Sequence, residues 1–463
     1  MTTNLIIEPV GIKIHLPSEV QEIFSVIKEY GAEAFVVGGC VRDSILGRPV
    51  HDYDICTPVP VSELQTVFEE KGYHVIPTGI KHGTITVMIN GQGYEITTYR
   101  KDGDYSDGRH PDNVEFTSDL IEDLSRRDFT INAMAYNPET GLVDPFGGFQ
   151  DIYNHIIRCV GDPCLRFNED GLRIMRGVRF SAQLGFRIDV NTRQAINDLK
   201  DNLGNISAER INSELVKIIT SHHPFVIMNY PGVLFKIIPE FCELWAFDLD
   251  EPDECYSAYG HTRTALCFTD LKDLVVRLAI LFHDIGKPYC YSIDEFELKH
   301  YDGHEKIGAD LTDKIMRRLK FDNKTREQVV ELVLYHNIEL KSDKYYIKTL
   351  LNALGVQQFK RLIKLQSSII QAQADLYKAE KLEHLKNVKD IFDEILVNQE
   401  CFTLQDLAIH GDDIKKYMYI KEGKDIGHWL DMILNQVMYG NLSNNRDELI
   451  AYMIGISDGW IKI

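Results

Sequence analysis

The sequence predicts a small mixed-sheet α/β domain followed by an all-α remainder, and three observations lead there. Strand-like segments, β-branched or aromatic and ending near Gly or Pro, are confined to residues 1–150. Beyond Asp151, apolar residues recur at helical spacing almost to the C-terminus. A chain of 463 residues, 44% hydrophobic and 26% charged, is long and apolar enough for several packed domains of roughly 100–200 residues each.

In chain order, AFVVGG (Ala34–Gly39), DYDIC (Asp52–Cys56), GTITVMI (Gly83–Ile89) and YEITTY (Tyr94–Tyr99) read as strands. VSELQTVFEEKG reads as a helix between the second and third, with Ser62 as its N-cap and Gly72 as its stop. KDGDYSDGRHPDNVEF, residues 101–116, carries the Asp, Gly and Ser of a mobile loop. Past residue 151, breaks at HHPF (His222–Phe225) and DLDEPDE (Asp248–Glu254) separate helical subdomains. Lys and Arg cluster between Lys341 and Lys389, a candidate RNA-facing surface on an otherwise acidic chain.

That acidity, 70 Asp and Glu against 50 Lys and Arg for a formal charge of −20, excludes a uniformly basic coat that binds nucleic acid by counterion release alone. A local basic face remains compatible with it. The most apolar segment, Leu274–Phe282, is short and contains Arg277, so no membrane span is expected. The N-terminus lacks the basic start and apolar run of a signal peptide. Nine dispersed cysteines without a C-x-x-C pair fit reduced thiols, and a cytoplasmic protein is expected.

The densest chemical signal is GGCVRDSILGRPVHDYDI, Gly38 to Ile55. Two glycines after a strand let a phosphate approach the backbone closely. On a strand, Asp52 and Asp54 would project to one face. Two adjacent carboxylates repel unless cations neutralise them, and Mg²⁺, which takes few carboxylates and keeps water and phosphate oxygens, suits such a pair. Further on, NEDGLRIMRGVRF (Asn168–Phe180) reads as a helix with Asp170 and Arg173 three apart on one face. Arg176 and Arg179 continue that face, and three arginines so spaced would repel without an anion.

GGCVRDSILGRPVHDYDI, RRDFTINAMA (Arg126–Ala135) and NEDGLRIMRGVRF together resemble three successive motifs of the bacterial class II tRNA nucleotidyltransferases, within the polymerase-β-like superfamily. The resemblance covers nearly the whole chain. It implies a nucleotidyltransferase head at residues 1–150, a base-reading helical neck at 151–225, a helical body at 226–395 and a tRNA-binding tail at 396–463. The implied activity is template-independent addition or completion of the 3′-CCA end of tRNA from CTP and ATP, with pyrophosphate released. Addition of A alone, poly(A) synthesis and, in another class, phosphohydrolysis are the alternatives.

The resemblance also implies roles. Asp52 and Asp54 would be catalytic and hold Mg²⁺. Gly39, Arg42, Arg127, Arg176 and Arg179 would bind the nucleotide, with Asn132 a further candidate beside Arg127 and Glu95 a candidate third carboxylate. Asp170 and Arg173 would read the base. A carboxylate accepts from the exocyclic amine of cytosine or adenine, whereas uracil and guanine present a carbonyl there. His261, His283, Asp284, His304 and His336 look like an HD domain, a candidate second divalent-metal site. Asn337 stands where some relatives carry Asp, and Asp375 is the candidate substitute.

Overall fold

The computed structural model describes residues 12–80, 83–103, 113–246, 257–269, 273–296, 299–373, 375–420 and 423–458. The chain divides into two compact units, residues 1–239 and 240–463. The division falls inside the 226–395 segment expected as one body.

The first unit opens with α1 (Ser18–Glu29), β1 (Phe35–Val37), α2 (Gly39–Ile45), β2 (Asp54–Thr57), α3 (Val61–Glu70), β3 (His74–Gly79), β4 (Thr84–Ile89) and β5 (Gln92–Thr98). The antiparallel pair β6 (Arg100–Asp102) and β7 (Val114–Phe116) takes up both ends of the 101–116 segment expected as a loop, which corrects that expectation there; residues 104–112 lie outside the described ones. Then come α4 (Leu120–Ser125), β8 (Ala135–Asn137), β9 (Gly141–Val143) and α5 (Gly148–Tyr153). Seven strands form one mixed sheet in the order β3-β4-β5-β2-β1-β8-β9. Within this sheet, among the described residues, β2 and β5 alone pair in parallel. One face packs Phe35, Val37, Cys56 and Ala135 against Tyr99 and Leu124, which anchors β1 and β2 to α4.

The neck follows: β10 (Ile156–Ile157), α6 (Pro163–Glu169), α7 (Leu172–Leu184), β11 (Arg187–Ile188), α8 (Val190–Leu199), α9 (Ala208–Ile219) and α10 (Pro231–Ile237). The neck, expected as essentially all-α, is helical apart from short 3₁₀ turns and the two-residue parallel pair β10–β11. Local chemistry sets these boundaries. Asp162 caps α6 by accepting the Cys164 amide, with Pro163 pre-set at the first helical position. Gly185, left-handed at φ +72°, ends α7.

Two predicted details differ. Ser62 is not an N-cap, because α3 starts at Val61 behind Pro60. The Val61 amide is satisfied instead by the Thr98 hydroxyl at 3.0 Å. NEDGLRIMRGVRF is not one helix: α6 ends at Glu169, and Asp170 is extended (φ −145°, ψ 107°) before α7 starts.

The second unit is helical: α11 (Phe241–Ala246), α12 (Ala258–Ala265), α13 (Leu274–Phe282), α14 (His304–Arg318), α15 (Asn323–Tyr335), α16 (Lys344–Ala372), α17 (Asp375–Val397), α18 (Gly411–Met418), α19 (Gly423–Tyr439) and α20 (Arg446–Ser457). A two-residue antiparallel pair, Ser292–Ile293 with Lys299–His300, is its strand content among the described residues. α13 is buried along its length, Arg277 included at 1% exposure, so the most apolar segment is a core helix. The long α16 kinks at Gly355, whose φ of +77° interrupts the helix. Among the described residues no helix is long and apolar enough to cross a membrane. The DLDEPDE break and the side chain of Asp375 lie outside the described residues.

Candidate active site

The site in the first unit starts at the β1–α2 turn. Gly38 has φ +79°, and a Cβ there would lie 2.9 Å from the Arg127 Nη1, so a larger residue would displace that guanidinium. Val37 pairs with Asp54 across β1 and β2, which puts the Asp54 carboxylate beside the same turn. Asp52 precedes β2 in irregular backbone, so the strand period does not align the two aspartates as expected. They are close nonetheless. Asp54 is solvent-exposed as a residue, yet the protein around its carboxyl raises its pKa; Arg127 opposes that rise and the Asp52 charge adds to it. Ile55 pairs with Ile96, so one step back along both strands Glu95 stands next to Asp54, and Glu95 is exposed.

From this turn a polar chain runs through all three sequence motifs. Arg42 is held by Asp43 at 2.8 and 3.0 Å and donates to the Asn132 Oδ1 at 2.6 Å. Asn132 donates to Asp128 at 3.1 Å, and Asp128 accepts from Arg176 at 2.6 Å. Burial alone would raise Asp128. Arg176, the Asn132 hydrogen bond and the Arg173 charge outweigh it and hold Asp128 at about 2. Phe180, buried and in edge contact with Phe129, lies under three guanidinium groups: Arg179 at 4.2 Å, Arg42 at 5.1 Å and Arg176 at 5.5 Å from the ring centroid.

Two expectations about the arginine helix are corrected here. Asp170 and Arg173 share no helical face, because Asp170 stands in the break before α7. Arg173 turns to Glu169 at 2.5 Å and to the Arg126 and Arg166 carbonyls, whereas Asp170 accepts from the Leu172 amide at 2.9 Å and Arg210 at 2.8 Å. Nor does repulsion among the arginines call for an outside anion. Arg173 has Glu169, Arg176 has Asp128 and Arg179 has Glu214 at 2.7 Å. The sequence reading missed Asp43, Glu169, Phe180, Arg210 and Glu214. Only Glu214 carried a signal: it is an acid on the apolar face Ile211, Leu215, Ile218 of α9.

In the second unit His261, His283, Asp284, His304 and His336 do come together, all of them buried. Their donor atoms form two triads sharing Asp284: His261, His283 and Asp284, then Asp284, His304 and His336. Gly286 permits this, since a Cβ there would lie 2.1 Å from the His304 carbonyl. Nδ1 of His283, His304 and His336 each faces the carbonyl three residues earlier at 2.7–2.8 Å. A carbonyl only accepts, so Nδ1 carries the proton and Nε2 of the neutral ring is bare. Burial pushes His336 and His261 down to about 3 and lowers His304. The Nε2 atoms of His304 and His336 then oppose lone pair to lone pair at 3.1 Å. Lys287, which the sequence reading passed over, pairs with Asp284 at 3.2 Å. In the basic run, Lys344 and Lys348 pair with Glu400, and Lys389 with Asp393, so much of that charge is balanced locally.

The family model for the poly A polymerase head domain matches residues 34–158. The model described as a probable RNA and SrmB-binding site of polymerase A matches residues 185–230, and tRNA nucleotidyltransferase domain 2 matches 306–453. A CCA-adding enzyme of Ligilactobacillus salivarius is 31% identical over 442 residues, covering 94% of this chain and 96% of that one. One from Enterococcus faecalis is 31% identical over 441 residues with the same coverage. The crystal structure of the Bacillus stearothermophilus CCA-adding enzyme in complex with CTP superposes with a TM-score of 0.70 at 26% identity, over 96% of this chain and 98% of that one. With a mixed-sheet head, a helical remainder and relatives of this kind over 94% of its length, the chain belongs to the CCA-adding enzymes and is a tRNA nucleotidyltransferase.

Proposed function

We propose that the first unit adds C, C and A in turn to the 3′ end of tRNA from CTP and ATP, in the cytoplasm, with Asp52 and Asp54 as the catalytic carboxylates. The observation that carries this is the chain Arg42–Asn132–Asp128–Arg176, which joins three motifs far apart in sequence into one network beside Asp54. The donor set at the turn is all oxygen, and the raised Asp54 carboxyl next to Asp52 is the arrangement a divalent cation relieves; both fit Mg²⁺. When bound, Mg²⁺ supplies charge neutralisation for the triphosphate and the incoming 3′-oxygen.

The chain's own residues do the rest. The Gly38–Gly39 turn leaves room for phosphate against backbone, and Arg127 stands over it. Arg42, Arg176 and Arg179 converge on one ring, and the triphosphate is an anion for which each can exchange its carboxylate partner. Asp170 accepts from the exocyclic amine of cytosine or adenine while Arg173 donates to the neighbouring ring atom, and the carbonyls of uracil and guanine are refused. Glu95, beside Asp54 in the strand register, supplies a further carboxylate.

The histidine cluster supports a second reading for its own unit, a divalent-metal site. Bare Nε2 atoms fixed by backbone carbonyls and a shared carboxylate form a donor set of nitrogen and oxygen, suited to a transition metal as well as Mg²⁺. Transcripts ending before CCA, after C and after CC, each incubated with one nucleotide at a time, test the main reading. Stepwise C, C, A addition is expected. Addition of A only, or of long A tails to unrelated RNA, would refute it.

A further inference from the structure

Asp170 is pinned by a helix other than the one that carries its expected partner. Its Oδ1 accepts the Leu172 amide at 2.9 Å, and its Oδ2 accepts the Arg210 Nη2 at 2.8 Å across the 40 residues that separate α9 from this break. The Arg173 guanidinium gives the Asp170 carboxylate nothing, being committed to Glu169 and two backbone carbonyls; the Arg173 amide donates instead to the Asp170 backbone carbonyl at 3.0 Å. One turn further along α9, Glu214 holds Arg179 at 2.7 Å. Positions 210 and 214 are four apart, so both struts leave the same face of α9 and grip α7 and its entry at two points.

The two struts differ in what they hold. Glu214 meets an arginine whose expected target is phosphate, common to every nucleotide. Arg210 meets the carboxylate whose expected target is the base edge. A carboxylate has about four acceptor positions, so with two used it can still accept from an amine. Without the guanidinium, the Asp170 carboxylate is tied only at Oδ1, on an extended residue outside both helices, and its other oxygen can turn away from the amine it should meet.

We infer that Arg210 is a specificity-determining positioning residue, which fixes the Asp170 carboxylate so that it accepts an amine and turns away a carbonyl; this rests on the base-reading role proposed for Asp170. Arg210 touches no reacting atom and acts through Asp170 alone.

The test is single-nucleotide addition of CTP, ATP, UTP and GTP to tRNA, with kcat/KM for each, on Arg210→Gln, Arg210→Lys, Glu214→Gln and Asp170→Ala. Thermal melts confirm that each variant is folded. Arg210→Gln should raise UTP and GTP relative to CTP and ATP by roughly tenfold, the scale of one lost hydrogen-bond discrimination. Arg210→Lys keeps the charge and should restore most of the selectivity. Glu214→Gln removes the companion strut and should slow all four nucleotides by a common factor. If Arg210→Gln also slows all four equally, its role is merely structural and the inference is overturned. If Asp170→Ala leaves selectivity intact, the base-reading role falls with it. Relaxed selectivity in Asp170→Ala but not in Arg210→Gln overturns the positioning role alone.

Discussion

The two clusters prepare for a ligand in opposite ways. In the first unit the cations are numerous and each is already paired: Arg42 with Asp43, Arg173 with Glu169, Arg176 with Asp128 and Arg179 with Glu214. A phosphate or base edge arriving there exchanges one partner for another, so little uncompensated charge waits in the free protein. In the second unit the candidate donor atoms are buried and crowded on one another, with Asp284 shared between two histidine triads and paired with Lys287. The His304 and His336 Nε2 lone pairs face each other at 3.1 Å, a contact that only a proton or a cation between them makes favourable. An exchangeable substrate suits the first design. A resident ion suits the second.

The contrast breaks most sharply at Asp54. Asp54→Ala should lower nucleotide addition on the order of 10³-fold, since losing charge stabilisation of several kcal/mol at a metal site corresponds to that factor. Binding of tRNA, measured by filter retention, should be little changed. Addition at near wild-type rate would dissolve the proposed site. Next in size is His283→Ala combined with Asp284→Ala. The metal content of the purified protein, and the rise in melting temperature on adding Mn²⁺ or Ni²⁺, should both vanish while addition persists. If the variant remains folded and addition collapses, the two sites are not separate in function.

The sequence made these two clusters unequally legible. Of the 16 histidines, resemblance to an HD domain singled out His261, His283, His304 and His336 with Asp284, and the structure does bring these five together. The strands β1, β2, β4 and β5 were legible from residue type, being runs of β-branched residues between turn residues. The arginine helix was misread. Glu169 and Asp170 are neutral enough in helices for N-E-D-G to pass as helical, and Gly171, at the N-cap of α7, was the sole mark of the break. The partners of Arg176 and Arg179 come from Asp128 and Glu214, elsewhere in the chain, and a spacing argument on α7 alone cannot see them. Counting like charges along one helix therefore predicted an external anion where the fold supplies its own.

Asp128 measures how much that internal pairing is worth. Its pKa is held at about 2 against an ordinary value near 3.8, so the folded state keeps it charged more tightly than the unfolded chain does. The stability it contributes is present above pH ~4 and is lost as pH falls through about 2. Asp128→Asn should cost on the order of 2 kcal/mol at neutral pH, by the linkage between the folded value of about 2 and the ordinary one, and should flatten the acid limb of the stability curve between about pH 4 and 2. Urea denaturation across that range reads both. An unchanged acid limb would mean that Arg176 finds another partner at no cost.

The smallest effect tests what the three arginines share besides charge. Each lies over the Phe180 ring, and such contacts range from about 0.5–1 kcal/mol where exposed to about 2 kcal/mol where desolvated. Phe180→Leu keeps most of the apolar volume and the contact with Phe129 but removes the π face, so the arginines lose a common platform while keeping their carboxylates. The KM for CTP and for ATP should rise several-fold together, with kcat and the choice among bases little altered, because phosphate contacts do not distinguish nucleotides. Phe180→Tyr should behave as wild type. A Leu variant indistinguishable from wild type would mean that the carboxylate pairs alone place the arginines. One that altered base choice would mean that the ring orders the Asp170 end of α7 as well, and the division between phosphate-binding and base-reading positions along that helix would have to be redrawn.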